Sequence, residues 1–363
     1  MKGMWSYFVR RLLLVPVTFF CITFLVYAIM RKAPGGPIEQ ARQDAMRRMN
    51  GEVGGGARGR DHGSQALPKE AIEQLERYYK LDKPIHIGYL IWLGVLGDDQ
   101  IGGRRSGILQ GDFGTSYRYS EPVLTTIVSK FPISAYFGLI GYFSTWLVCL
   151  PLGVKKALEH RSTFDTATSV LVFFGYATPG FVACLILLLL LATDMGLNLF
   201  PLGKFRGEHW NEWWAAGEYF RCAKDQLWHT AIPVAGYVIG GFATMTILMK
   251  NSMLENLNAD YVRTAFAQGV SERRVIYVHA LRNSLIPICV GIGQALALLF
   301  AGSFLIEKTC NIPGMGYLGY TSLVERDYPV GMGILVFTVL IELTGNIISD
   351  VVLALVDPRV RFG

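Results

Sequence analysis

The chain has 363 residues, of which 52% are hydrophobic and 17% charged, with a formal net charge of +6. Apolar content this high, gathered in long runs, excludes an ordinary soluble protein. The positive charge needs no nucleic acid once it is placed at the edges of a membrane.

Six runs are long enough to cross a bilayer, which takes roughly 20 apolar residues as a helix. They cover residues 8–30, 133–154, 168–192, 230–249, 285–306 and 331–355. Backbone groups in lipid find no water, so each run must be helical, and six such segments cannot close a β-barrel. The expected fold is an all-α polytopic membrane protein with six transmembrane helices.

Lys2, Arg10 and Arg11 accompany the first run. It is longer than a secretory h-region and lacks a small-residue cleavage site before Arg31, so it is expected to remain as the first span. Ala33-Pro34-Gly35-Gly36-Pro37 then stops the helix. Residues 38–50 are polar, 51–64 are glycine-rich and charged, and 68–81 have helical spacing behind Pro68. Residues 111–123 read as turns and short extended pieces, and 121–130 as a helix on the outer surface before the second span. Asp112-Phe113-Gly114 spells the kinase metal-binding tripeptide, but no glycine loop or catalytic loop accompanies it.

Lysine and arginine in the short connections set the orientation. Lys155, Lys156 and Arg161 follow the second span, Lys250, Arg263, Arg273, Arg274 and Arg282 follow the fourth, and Arg359 and Arg361 close the chain. With six spans these segments share one side with the N-terminus, and that side is expected to be the cytoplasm.

Between the third and fourth spans stand Trp210, Trp213, Trp214 and Trp228. They suit a headgroup-level anchor, with a substrate-stacking platform as the sharper alternative. Four of the six cysteines fall within spans. Cys222 and Cys310 fall on the outer side, where an oxidising periplasm permits a disulfide.

Chemistry-bearing motifs are missing: there is no GxxxxGK[ST] phosphate loop, no HExxH and no GxSxG. In the last span Glu342, Asn346 and Asp350 recur every four residues and so share one helix face. That face, and Gln294 in the fifth span, either line a pathway or make interhelical hydrogen bonds.

The stretch Tyr261–Pro287 is basic, amphipathic and split by Gly269, between two apolar runs. Asn258 is a candidate cap for a helix running to Gln268, and Gly269 a natural stop. Ser271 then caps a second helix, with Glu272 in its first turn. The apolar residues of the first piece, Tyr261, Val262, Ala265 and Phe266, are too few to bury it in a core. Surface helix, plain connector and docking element all fit this composition.

Asp260–Gly269 and His279–Pro287 resemble the pattern D-Y-[VI]-R-T-A-x-A-x-G … H-A-L-R-N-x-[LI]-x-P of dipeptide/oligopeptide ABC importer permeases. Gln268 stands where lysine is usual. Arg10-Arg11-Leu12-Leu13, Leu81-Asp82-Lys83-Pro84, Gly111-Asp112-Phe113-Gly114, Pro313-Gly314-Met315-Gly316, Arg326-Asp327-Tyr328-Pro329 and Asp357-Pro358-Arg359 follow the same family in order. The chain is most similar to the B-type permease subunit, in the branch with a long first outer loop linked to peptide and peptide-antibiotic uptake.

The resemblance implies a type I importer fold divided into 1–32, an outer insertion 33–131, and a five-helix core 132–363 with a coupling loop at 250–284. It implies half of a translocation pathway for peptides or similar solutes in the bacterial inner membrane. Partners would be a second, C-type permease, cytoplasmic ATP-binding subunits that hold ATP and Mg, and a periplasmic or lipid-anchored solute-binding protein. No cofactor is expected on this chain. By the match, Asp260, Tyr261, Arg263, Thr264, Ala265 and Gly269 carry the ATPase contact, and Arg273 and Arg274 add charge. A stand-alone secondary transporter or channel is the alternative.

Overall fold

The computed structural model describes residues 2–32, 73, 82–99, 102–291 and 302–356. The expected helix at 68–81 and the glycine-rich stretch lie outside the described residues apart from Glu73, as do Gln294 and Asp357-Pro358-Arg359. No strand occurs among the described residues; two isolated bridges, Asp98 with Arg104 and Thr115 with Pro122, are the only β-type pairings there.

Among the described residues, four helices are long and apolar enough to cross a membrane, and one bent pair forms a fifth candidate. The first is α1 (Lys2–Lys32). A short helix α2 (Ile85–Leu93) precedes α3 (Val123–Leu158), which absorbs the second run. The expected separate helix at 121–130 is the first part of α3. Val123 and Ile127 are fully buried, close to Phe113 and Gly333, and that burial keeps the segment on the axis of α3.

The third run is broken in two: α4 (Thr163–Ala177) and α5 (Gly180–Leu191) meet at 98°. Pro179 lacks an N–H and pushes the residue before it out of the helical region, and Thr178 is extended at φ −102°, ψ 111°. After α6 (Trp210–Ala215), α7 (Tyr219–Leu257) runs for 39 residues, well beyond the apolar run at its centre. Of the fifth run, residues 292–301 lie outside the described residues. The last is α14 (Tyr328–Val356), which is reached after the short helices named below.

The chain forms two compact units. One contains Met1–Val15, Val128–Tyr320 and Phe337–Gly363, the other Pro16–Ile127 and Thr321–Val336.

In the larger unit one apolar core gathers Phe137, Cys184, Leu188, Ile232, Ile306 and Cys310, and a second gathers Val154, Ala157, Met249 and Met253 with residues of the 258–284 loop. Cys222 and Cys310 are both free; the Cys222 thiol lies 3.6 Å from the Trp210 carbonyl. Trp210 and Trp214 stack at 5.0 Å, and the Arg206 guanidinium covers Trp210 at 3.8 Å. Trp228 stacks instead on Phe200 at 4.8 Å, and Trp213 lies beside His209.

In the smaller unit α2 packs on α1. The Tyr89 hydroxyl lies 2.8 Å from that of Thr23 and donates to the Phe20 carbonyl at 3.1 Å. Asp327, only 3% exposed, accepts from the Ser116 hydroxyl and from the N–H groups of Tyr117 and Arg118 at 3.2 and 3.4 Å. Arg118 pairs with Glu325 beside it.

Candidate coupling site

The stretch that follows α7 forms α8 (Asp260–Ala267), a turn at Gly269, and then α9 (Glu272–Arg274). The latter continues through a π-turn (Val275–Ala280) into α10 (Leu281–Ser284) and α11 (Ile286–Val290). Gly269 takes φ +79°, the left-handed conformation expected of a helix stop, and nothing lies within 4 Å of where a Cβ would stand.

Two capping expectations are corrected. Ala259, not Asn258, is the N-cap of α8. The Asn258 amide instead donates back to the Leu254 carbonyl at 2.9 Å, because α7 continues through Leu257 and claims it. Ser271 occupies its expected cap position, but only its carbonyl is used, accepting from Arg274 N–H at 2.9 Å.

The loop also has a core of its own. Val262 and Ala265 are 1% and 8% exposed and pack with Val275 and Ala280 against Val154, Ala157, Met249 and Met253. The expectation that α8 has too few apolar residues to bury fails because the partners are distant in sequence. Four small or branched side chains suffice when α3 and α7 supply the other wall.

The sequence-derived residues therefore divide. Asp260, Arg263, Thr264, Gly269, Arg273 and Arg274 are exposed. Ala265 points into the core, and Tyr261 is half-buried with its hydroxyl donating to Asn256 at 2.6 Å. Phe266, which the motif left unassigned, is 46% exposed on the outward face.

Below the loop lies a charged cluster that sequence reasoning counted only as basic topology signals. Lys156 is 1% and Asp165 5% exposed. The Lys156 ammonium donates to the Asp165 carbonyl, the Thr168 hydroxyl and the Ser169 hydroxyl at 2.8, 2.8 and 2.9 Å, and lies 3.0 Å from the Asp165 carboxylate. Lys250 donates to both Asp165 carboxylate oxygens at 2.7 and 2.8 Å. Arg161 N–H adds a bond at 3.0 Å, and His160 Nδ1 lies 3.4 Å away. The usable signal was an aspartate at the edge of an apolar run, where a charge needs a partner.

A second buried carboxylate, Glu307, sits on α12 (Phe304–Thr309), just past the fifth run and before α13 (Met315–Val324). It accepts from the Ser134 hydroxyl at 2.6 Å and from Tyr317 N–H at 2.7 Å. Burial pushes its carboxyl up to about 7 from the ordinary 4.5, against those hydrogen bonds.

The stripe on α14 has three different settings. Asp350 pairs with Arg11, Asn346 is half-buried and Glu342 is exposed. Among the described residues no group of His, Cys, Asp and Glu could hold a metal ion.

Residues 149–362 match the family described as binding-protein-dependent transport system inner membrane component. The chain belongs to that family. Its similarity extends to whole relatives. The inner membrane ABC transporter permease protein YejB of Escherichia coli is 35% identical, with 99% of each chain covered. The peptidoglycan transport system permease protein YejB of Agrobacterium fabrum is 33% identical, again over 99% of each. The oligopeptide transport system permease protein AppB of Bacillus subtilis is 30% identical over 98% of this chain and 99% of its own. As a member of this family the chain is a multi-pass inner-membrane permease subunit of an ATP-driven importer, and not a stand-alone secondary transporter.

Proposed function

We propose that this subunit forms half of the translocation pathway of a peptide importer. In this proposal residues 258–284 seat in a groove of a separate cytoplasmic ATPase. The observation that carries the docking is the two-sided character of α8. Val262 and Ala265 fasten it to its own chain, while Phe266 and the charged residues Asp260, Arg263, Arg273 and Arg274 remain outward. A helix anchored on one face with an exposed aromatic on the other suits insertion into a partner's groove.

Exposed Glu342 supports the other half of the proposal. A carboxylate inside an apolar span must meet protein or water and not lipid, which calls for a second, C-type permease or the pathway itself. Asn346 and Gln294 are assigned to the same pathway. The lysines and arginines counted above support cytoplasmic termini. Residues 1–32 then form the first span, 33–131 an outer insertion, and 132–363 the core.

A periplasmic or lipid-anchored binding protein delivers the solute to the outer side, where the 111–122 segment and the Asp327–Pro329 turn meet it. ATP and Mg belong to the ATPase. The cargo class follows the names of the relatives, oligopeptide and peptidoglycan, which have peptide in common.

Purification of the tagged chain from native membranes in mild detergent tests this. Recovery of a second permease with one or two phosphate-loop ATPases is the expected result; recovery of the chain alone overturns it. Gly269→Glu, which puts a charged side chain and a disfavoured left-handed conformation at the exposed turn, is expected to insert normally yet abolish uptake.

A further inference from the structure

The charged cluster of Lys156, Asp165 and Lys250 lies where the loop meets the spans. Lys156 follows Val154 and precedes Ala157 on α3; Lys250 follows Met249 and precedes Met253 on α7. Those four apolar residues are the wall on which Val262 and Ala265 of α8 pack. At Gly153 a Cβ would come within 2.6 Å of the Met249 Cβ, so α3 and α7 are in close contact at this level. On the loop side the two helix ends hold α8 by apolar packing. On the other side their ammonium groups hold the first two turns of α4, through Asp165, Thr168 and Ser169.

Packing alone does not call for such a cluster, since buried ion pairs are often replaceable by apolar side chains without loss. What the cluster adds is direction: five hydrogen bonds and one ion-pair contact from two ammonium groups, converging on residues 165–169, fix where α4 begins. The other end of α4 is the 98° bend at Thr178–Pro179.

We propose that Lys156, Asp165 and Lys250 form a rigid joint that passes displacement of α8 to α4 and so to the broken span. They are positioning residues for transport. This role presupposes that the loop docks on an ATPase, as proposed above.

The test uses the full complex in proteoliposomes, together with spin labels on Ala267→Cys and Tyr176→Cys, two exposed positions on α8 and α4, in a Cys21→Ser background. In Lys250→Met the assembled complex is expected to keep ATP hydrolysis within about twofold while uptake falls about tenfold. The distance distribution between the labels broadens, and Lys250→Arg restores both. Wild-type uptake in Lys250→Met, or an unchanged label distance, overturns the joint. Uptake, hydrolysis and complex recovery falling in equal proportion also overturn it, since that is plain loss of structure.

Should Lys250→Met fail to accumulate, Asp165→Asn, which keeps the side-chain shape, is read in the same way. Failure of both to accumulate makes the cluster a folding element and ends the proposal. The label distance is measured within this chain and needs no partner. A wild-type complex that does not couple ATP to uptake therefore strikes the docking proposal, while the distance still judges the joint.

Discussion

Asp327 holds Ser116 across 211 residues of chain: the serine hydroxyl donates to a carboxylate that is 3% exposed and that also takes the next two backbone N–H groups. Asp327 directly precedes α14, so its side chain ties the 116–118 turn to the start of the last span. Asp327→Ala leaves three donors without their acceptor. The expected loss is about 1–3 kcal/mol, the range for leaving a buried donor unsatisfied. Limited trypsin digestion should then cut at Arg118 in the variant and spare it in the parent protein. Equal resistance of the two proteins would show that the turn is held by something else.

Ala265 and Thr264 adjoin in sequence and face opposite ways. Ala265→Leu overpacks the wall formed by Met249 and Met253 and should cost about 1–3 kcal/mol. Thr264→Leu changes an exposed position and should leave the melting temperature in detergent within a degree or two, roughly the scale of a neutral surface change. Co-purification of the ATPase should reverse that order, with Thr264→Leu weakening it directly. Equal melting shifts for the two variants would contradict the assignment of faces.

Glu307 makes stability depend on pH with a defined sign. Its folded carboxyl is raised to about 7 from 4.5, so the folded protein holds the proton more tightly than the unfolded chain. The contribution of this group to stability is fully present below the ordinary value. It is lost as pH rises from about 4.5 through about 7, and levels off above. Thermal unfolding of the detergent-solubilised protein across that window should show the decline, and Glu307→Gln should flatten it. A slope unchanged in the glutamine variant would remove Glu307 as its source.

Glu342→Leu takes away an exposed charge from an apolar span. Charged residues at the membrane centre cost about 2.5–3.5 kcal/mol on insertion scales, so the variant chain should insert at least as well as the parent. On the proposed role of Glu342 in the pathway or against a second permease, uptake is nevertheless expected to fall about tenfold. Undiminished uptake would take Glu342 out of the pathway.

The apolar runs, the glycine stop at Gly269 and the family motifs were legible because each is a local property of a few consecutive residues. The bend at Thr178 was legible in principle from Pro179, but a continuous run of apolar residues outweighed one proline. The inward turn of Ala265 was not legible, since it depends on Met249 and Met253 approaching from another helix. The same holds for Asp165: nothing in the segment around it announces Lys250, 85 residues later. The fate of the 121–130 segment turned on burial of Val123 and Ile127, again decided by distant neighbours.

At 39 residues α7 is about 58 Å long, close to twice the thickness of the hydrocarbon core. One end carries the tryptophan-bearing stretch and the other the glycine-split loop, and Pro233 is its only internal proline. Such a rod works as a lever. A tilt of about 5° around its midpoint carries each end about 2.5 Å, in opposite directions. A small rotation driven at the loop would therefore be felt on the far side of the membrane at once, with no side chain along α7 having to rearrange.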